Sequence, residues 1–370
     1  MQKNLSGLTL GGLLLAGLII PVCGGEETKT VGGPARTFNV RDYGAVGDDQ
    51  TDNTEAFSAC LKAVLTAGGG RMFLPDGVYR GRILIPPVSK PMPSWITVEI
   101  TGESEPALVF GTVGNFPLQN HGAIVKCLAQ NGPAVISAAR SPQSLYGGFS
   151  AVYAVLKNLD VRTDDNPGIS GIDLNYAMQA KLENVFINTG VYSVQAAKPT
   201  HGTCGLITPA NNNAALTILR NVVVTGFHTG ILVNEHTDGE NINLACNFNG
   251  LEFPFAHHAS HFGRVGAQRC TRAIAVTGRH AFSIEQLDIE IAGKLQTDAN
   301  NAWQATEFNI DDPRNLGVAD INYWVVEGGV GAIEKFTING GASIRARRIG
   351  SAPAGNERTG AEQNGTQPAK

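Results

Sequence analysis

Short runs of alternating apolar and polar residues recur along most of the chain. Three share an asparagine followed by an apolar-x-apolar triplet: LKNLDV (156–161), LENVFI (182–187) and LRNVVV (219–224). IEQLDI (284–289) and IEKFTI (333–338) are near-copies in which the asparagine is replaced. Between them lie shorter alternations: GIDL (171–174) and GILV (230–233), each introduced by glycine, with AIAV (273–276) a related strand. Period-two runs of this length are strands with one buried face. No single unit can bury that face alone, so the units must stack into a solenoid. Asn158 and Asn184 stand 26 residues apart and Asn184 and Asn221 37, the irregular spacing of coils whose loops vary in length. Asparagines at one turn position of successive coils predict a side-chain hydrogen-bonded ladder.

The pattern changes period near the N-terminus. In DNTEAFSACLKAVLTAGGG, apolar residues at Ala56, Phe57, Cys60, Leu61, Val64 and Leu65 form a helical stripe, predicting a helix over 53–66. Asp52 stands where an N-cap would, with Glu55 completing a capping box. Asp48, Asp49, Asp52 and Glu55 therefore read as a turn and a helix start; the alternating ligands and central glycine of a calcium loop are missing. RMFLPDGVY reads as strand, turn, strand.

FNVRDYGAVGDDQTDNTEAFSACLKAV, followed by GGGRMFLPDGVYR, resembles the N-terminal signature of the pectate-lyase superfamily, including its rhamnogalacturonase- and polygalacturonase-like members. The resemblance covers residues 38–79 and implies a right-handed parallel β-helix with a short N-terminal capping α-helix. It marks the fold more sharply than the activity, since that superfamily spans lyases, hydrolases, epimerases and non-catalytic proteins.

At the N-terminus, Lys3 and the apolar run Leu8–Ile20 predict a signal peptide over 1–25, too short to span a bilayer. Cys23 in IIPVCGG is a candidate lipid anchor, although Val22 departs from the small residue that signal prefers. The expected order is a linker at 26–37, the cap at 38–80, the β-helix at 81–350 and a tail at 351–370. The expected location is extracytoplasmic, with no transmembrane segment.

Charge removes one function class. A net charge of −4, with 28 basic residues scattered among 32 acidic ones, leaves no nucleic-acid footprint. The 45 glycines fit many short elements joined by tight turns. Apart from Cys23 the cysteines are Cys60, Cys127, Cys204, Cys246 and Cys270, with no C-x-x-C pair. Cys246 and Cys270 could lie on adjacent coils, as a disulfide or as unpaired interior residues.

Polygalacturonase-like enzymes place aspartates and a histidine on one sheet, and the resemblance can be checked against that pattern. Ser170 stands where the first aspartate belongs, Val191 and Tyr192 replace the next pair, and His228 in FHTG sits one residue out of register. Asp173 survives and should point outward between Ile172 and Leu174. Asp173 and His228 are thus the candidate catalytic residues, with elimination favoured over hydrolysis. In SIRARRIG, Arg345 and Arg347 share a face that could take a uronate carboxylate, or form a solvated last coil. Trp303, Tyr323 and Trp324 could stack on sugar rings or simply pack. Asp164 and Asp165, like Asp311 and Asp312, are carboxylate pairs able to bind calcium, the candidate cofactor, or to make ordinary turns. His257 and His261 have zinc spacing only if their segment is helical. The expected partner is a polysaccharide containing uronates; the alternative is a non-catalytic structural or carbohydrate-binding β-helix.

Overall fold

The computed structural model describes residues 36–89, 95–106, 121–128, 133–142, 148–190 except 165 and 167, 203–210, 216–254, 259–291 except 269, 271 and 277–279, 318–328 and 343–352. For residues 289–291, 318–328 and 343–352 the description is of backbone alone.

β1 (Thr37–Asn39) and β2 (Asp48–Asp52) form a partial turn that pairs onto the first complete coil, β3 (Gly70–Leu74), β4 (Gly77–Arg80) and β5 (Ile83–Ile85). β6 (Ile96–Gly102), β7 (Ala123–Lys126) and β8 (Ala134–Ala138) make the second. After them long and short strands alternate: β9 (Ser150–Arg162), β10 (Ser170–Asp173), β11 (Ala177–Asn188), β12 (Cys204–Ile207), β13 (Thr217–Thr225) and β14 (Thr229–Leu232). β15 (Thr237–Ala245), β16 (Asn249–Phe253), β17 (Ala259–Gln268), β18 (Arg272–Val276), β19 (Ala281–Ile291), β20 (Val318–Gly328) and β21 (Ser343–Ala352) complete the series. Among the described residues every pairing is parallel; β5-β8-β10-β12-β14-β16-β18 form a sheet of seven short strands, and the other strands, the long ones among them, a sheet of 14. The protein is a right-handed parallel β-helix.

The long strands are two faces joined at a corner. β6 pairs with the first half of β9 (Ile96↔Val152 to Thr101↔Lys157) and β7 with the second (Ala123↔Leu159 to Lys126↔Arg162). The residue between the halves is Asn158, at φ 52, and Asn184, Asn221 and Asn241 repeat it at φ 53, 52 and 55. Asparagine tolerates this left-handed conformation, which lets the chain turn without breaking the ladder. The predicted side-chain ladder is present. Asn184 Nδ2 donates to Asn158 Oδ1 (3.2 Å), and Asn221 Nδ2 to Asn184 Oδ1 (2.9 Å). Asn241 Nδ2 donates to Asn221 Oδ1 (2.9 Å), a fourth rung hidden in TDGENINLA, which lacks an apolar residue two before its asparagine. Arg264 takes the next position and donates to Asn241 Oδ1 (3.2 Å).

Inward positions fill the tube. Leu159, Val161, Val185, Ile187, Val222 and Val224 from the long strands meet Ile172, Leu206, Ile231 and Leu251 from the short ones, all fully buried. A Cβ on Gly171 would collide with Ile187, and one on Gly205 with Val224, so the glycines that introduce the short strands are demanded by close packing.

α1 (Thr54–Thr66) lies against β1, β3 and β5 and buries Phe57, Cys60, Leu61 and Val64. Its capping differs from expectation. Asn53, not Asp52, is the N-cap, and it makes no side-chain cap bond. Asn53 instead donates to the Val46, Thr51 and Arg80 carbonyls and accepts from Val46 N, fastening the turn to β4. Asp52 ends β2, and its carboxylate accepts from Thr54 N (2.9 Å). Asp48 accepts from Gln50 N, Thr51 N and Thr51 Oγ1, which lowers its pKa. Asp48 and Asp52 are thus engaged with the turn and the start of the helix. None of the five cysteines among the described residues forms a disulfide, and Cys246 and Cys270 are both buried. Among the described residues no helix is long and apolar enough to cross a membrane.

Candidate functional site

Asp173, singled out by the sequence, lies on the short-strand sheet and His228 directly before one of its strands, in different surroundings. Two rows of side chains cross the sheet from coil to coil. One, at the strand ends, is Asp173, Ile207, Leu232, Glu252 and Ala275. The other, at the strand starts, includes Cys204, Thr229, Asn249 and Arg272.

Glu252 is the hub. Its Oε2 accepts from Thr229 Oγ1 (2.6 Å) and Asn249 Nδ2 (3.1 Å). Thr229 Oγ1 also lies 3.3 Å from His228 Nδ1. An ionised carboxylate can only accept, so Thr229 spends its one proton on Glu252 and its oxygen accepts from His228 Nδ1–H. That assigns the tautomer from the network and leaves Nε2 as the basic nitrogen. The His228 ring stacks on Phe248 at 5.1 Å, because both residues occupy the turn before their short strand in consecutive coils. The Arg272 guanidinium lies 5.0 Å from the centre of the same Phe248 ring. A histidine held by a Thr–Glu relay thus shares an aromatic plate with a cation.

Asp173 is apart from this group. Leu232, the counterpart of Asp173 two coils on, lies four residues beyond His228, which puts the two about 16 Å apart. Asp173 and Glu252 share a row but are three coils apart, about 14 Å. Paired carboxylates of a glycosidase stand roughly 5–9.5 Å apart, so these two cannot work as one. Burial pushes the Asp173 carboxyl up, against the Asn175 N–H it accepts (3.0 Å) and the charge of Arg82. Burial, with Glu252 and Asp173, pushes the Cys204 thiol up to about 12, which disfavours its thiolate.

The other sequence candidates fall elsewhere. Asp164 is ion-paired with Arg80 Nη1 (3.0 Å) and lies 3.9 Å from Lys126 Nζ, and Asp49 meets the same two cations (2.9 and 3.0 Å). The cations that would compete with calcium are built in; Asp165, Asp311 and Asp312 lie outside the described residues. Next to this network Asp160 and Arg162 form a buried pair (2.6 Å), with Asn188 donating to the other Asp160 oxygen (2.7 Å). Burial raises the Asp160 pKa against the pull of Arg162. His261 lies in a strand rather than a helix, and His257 outside the described residues, so the zinc spacing has no helix to act on. Among the described residues no group of three or more His, Cys, Asp or Glu is placed to hold a metal ion. Tyr323 pairs in register with Gln286 and Arg345 with Asp320, on the long-strand sheet; Trp303 lies outside the described residues. Arg347 lies on β21 of that sheet. Arg345, Arg347 and Tyr323 are therefore not on the sheet that holds Asp173 and His228.

Sequence reasoning missed Glu252, although a signal existed. In NGLEF, Glu252 follows Gly-apolar as Asp173 does in SGID, so the same repeat predicts both acids. Thr229, Phe248 and Arg272 carry no local motif; only coil stacking brings them together.

The chain matches known proteins at two scales. Over 43 residues it is 51% identical to alginate lyase 7 of Azotobacter vinelandii, a match covering 12% of this chain and 5% of that protein. The A-module of mannuronan C-5 epimerase AlgE4 from the same organism superimposes with a TM-score of 0.40 at 14% identity, covering 86% of this chain and 100% of the module. DFA-IIIase of Arthrobacter chlorophenolicus A6 superimposes with a TM-score of 0.42 at 12% identity, covering 86% of each chain. Residues 37–253, more than half of the chain, match the model of the rhamnogalacturonase A/epimerase, pectate lyase-like family, and the chain belongs to that family.

Proposed function

We propose that the protein acts on a uronate-containing polysaccharide laid across the short-strand sheet, and that it does so by removing the proton beside the uronate carboxylate. The observation that carries this reading is the His228–Thr229–Glu252 relay beside Arg272. His228 Nε2 takes the C5 proton, and Arg272 meets the carboxylate whose charge grows as the proton leaves. The electron pair then forms the C4–C5 double bond, the C4–O bond breaks, and the departing oxygen gains a proton. The roughly 14 Å between Asp173 and Glu252 supports elimination over hydrolysis. The relatives named alginate lyase and mannuronan C5-epimerase support a uronate as substrate.

A non-catalytic β-helix would present a smooth ladder of small polar residues outward. The asparagine ladder fits that description only at the corner of the long strands, away from the short-strand sheet. The apolar run Leu8–Ile20 supports export, with Cys23 as an anchor; these residues lie outside the described part of the chain. Incubation with polygalacturonate, alginate and rhamnogalacturonan tests the reading. Unsaturated uronate ends are expected on one of them. New reducing ends without unsaturation would refute it.

A further inference from the structure

A second feature lies on the long-strand sheet, away from the short-strand site. One outward row there carries long charged side chains of alternating sign: Lys157, Glu183, Arg220 and Glu240 on successive coils. The next coil breaks the row with Gly263, and Glu285 follows on the coil after. The missing side chain opens a notch of about 500 Å³ lined by Glu240, Gly263, Arg264, Glu285 and Gln286. That volume is in the range of small-molecule sites. The Glu240 carboxylate leans over the gap, where it would collide with a Cβ on Gly263. Glu240 makes no hydrogen bond or ion pair with any described residue. Arg220, the cation beside it, is turned to Asp238 (2.9 Å). Arg264 is drawn to Asn241 and Asn243 (3.2 Å each) and toward Asp288 (3.5 Å).

The row therefore lacks a cation where alternation calls for one, between two carboxylates on coils about 10 Å apart. We infer that the notch binds the ammonium group of an amino-sugar residue, held between Glu240 and Glu285, with the sugar hydroxyls on Arg264 and Gln286. An ammonium carries three donors in a compact charge, which suits two carboxylates approaching from opposite sides. Arg264 and the Gln286 amide supply donors for ring and hydroxyl oxygens. His261 Nε2 lies 3.6 Å from the Glu285 carboxylate, at the outer edge of that wall.

The test titrates the full chain with glucosamine tetramer, its N-acetylated counterpart and tetralysine at pH 6 and low salt, by calorimetry. The amine-bearing sugar should bind at least tenfold tighter than the acetylated one, and tighter than tetralysine. Glu240→Gln and Glu285→Gln should each weaken it about three- to fivefold. Gly263→Lys places an ammonium in the gap; because only the mobile end of Glu240 must move aside, it should abolish binding with no fall in melting temperature. Equal binding of the two sugars, preference for tetralysine, or undiminished binding by folded Gly263→Lys would each overturn the inference. None of these variants touches the short-strand sheet, so the result is independent of whether the polysaccharide reading above holds.

Discussion

The asparagine ladder gives the most quantitative handle on the fold. Asn221 holds two ladder bonds, as donor to Asn184 (2.9 Å) and as acceptor from Asn241 (2.9 Å), at φ 52. Asn221→Ala loses both, at about 1 kcal/mol each for partly buried amides. It also forces a Cβ-bearing residue without local side-chain bonding into the left-handed region, roughly 1 kcal/mol more. The expected loss is about 3 kcal/mol. Asn158→Ala meets the same backbone strain at φ 52 but loses one ladder bond, that from Asn184, so it should cost about 2 kcal/mol. Asn221→Gly loses both bonds without the strain and should fall below Asn221→Ala in cost. Urea denaturation followed by circular dichroism reads all three as shifts in midpoint at constant slope. If Asn221→Ala and Asn158→Ala cost the same, or glycine costs more than alanine, the ladder is not what stabilises the corner.

Three further outcomes follow from burial and charge. Asp160→Ala removes the carboxylate from the buried Arg162 pair and should cost roughly 3–5 kcal/mol, while Asp160→Leu with Arg162→Met should recover much of it; denaturant midpoints decide. His280, buried against Phe253, has its pKa lowered to about 4, so the unfolded chain binds the extra proton between about 4 and 6.5. Stability should therefore be full above about pH 6.5 and decline as pH falls toward 4, and His280→Gln should flatten that slope. Asp173 titrates the opposite way: its raised pKa makes the folded state hold the proton longer, so its contribution weakens as pH rises. Asp173→Asn, which can still accept from Asn175 N, should be more stable than the native protein at pH 7 and no more stable in acid.

The coil architecture was legible because each repeat carries its own period, turn residue and glycine. Asn158, Asn184 and Asn221 announced the corner, and Gly171 and Gly230 the short strands. Asp52 misled by one residue, since Asp52 and Asn53 are both good cap residues. Only the fold shows that the Asn53 amide is already committed to β4. The site was harder. The sequence grouped His228 with Asp173, which lies two coils away; adjacency in a solenoid runs between coils rather than along the chain. Its true partners, Thr229 and Phe248, belong to its own strand and to the next coil's turn.

Proton abstraction at His228 is tested most directly by following the C5 hydrogen of a polyuronate in deuterated buffer by NMR. Native protein should remove that hydrogen and give the olefinic signal of a cleaved chain. His228→Ala should abolish the loss, and Thr229→Val should slow it while shifting its pH profile, because the relay no longer fixes the Nδ1 proton. Loss of the C5 hydrogen at the native rate in folded His228→Ala, or chain cleavage with the C5 hydrogen retained, would contradict the account.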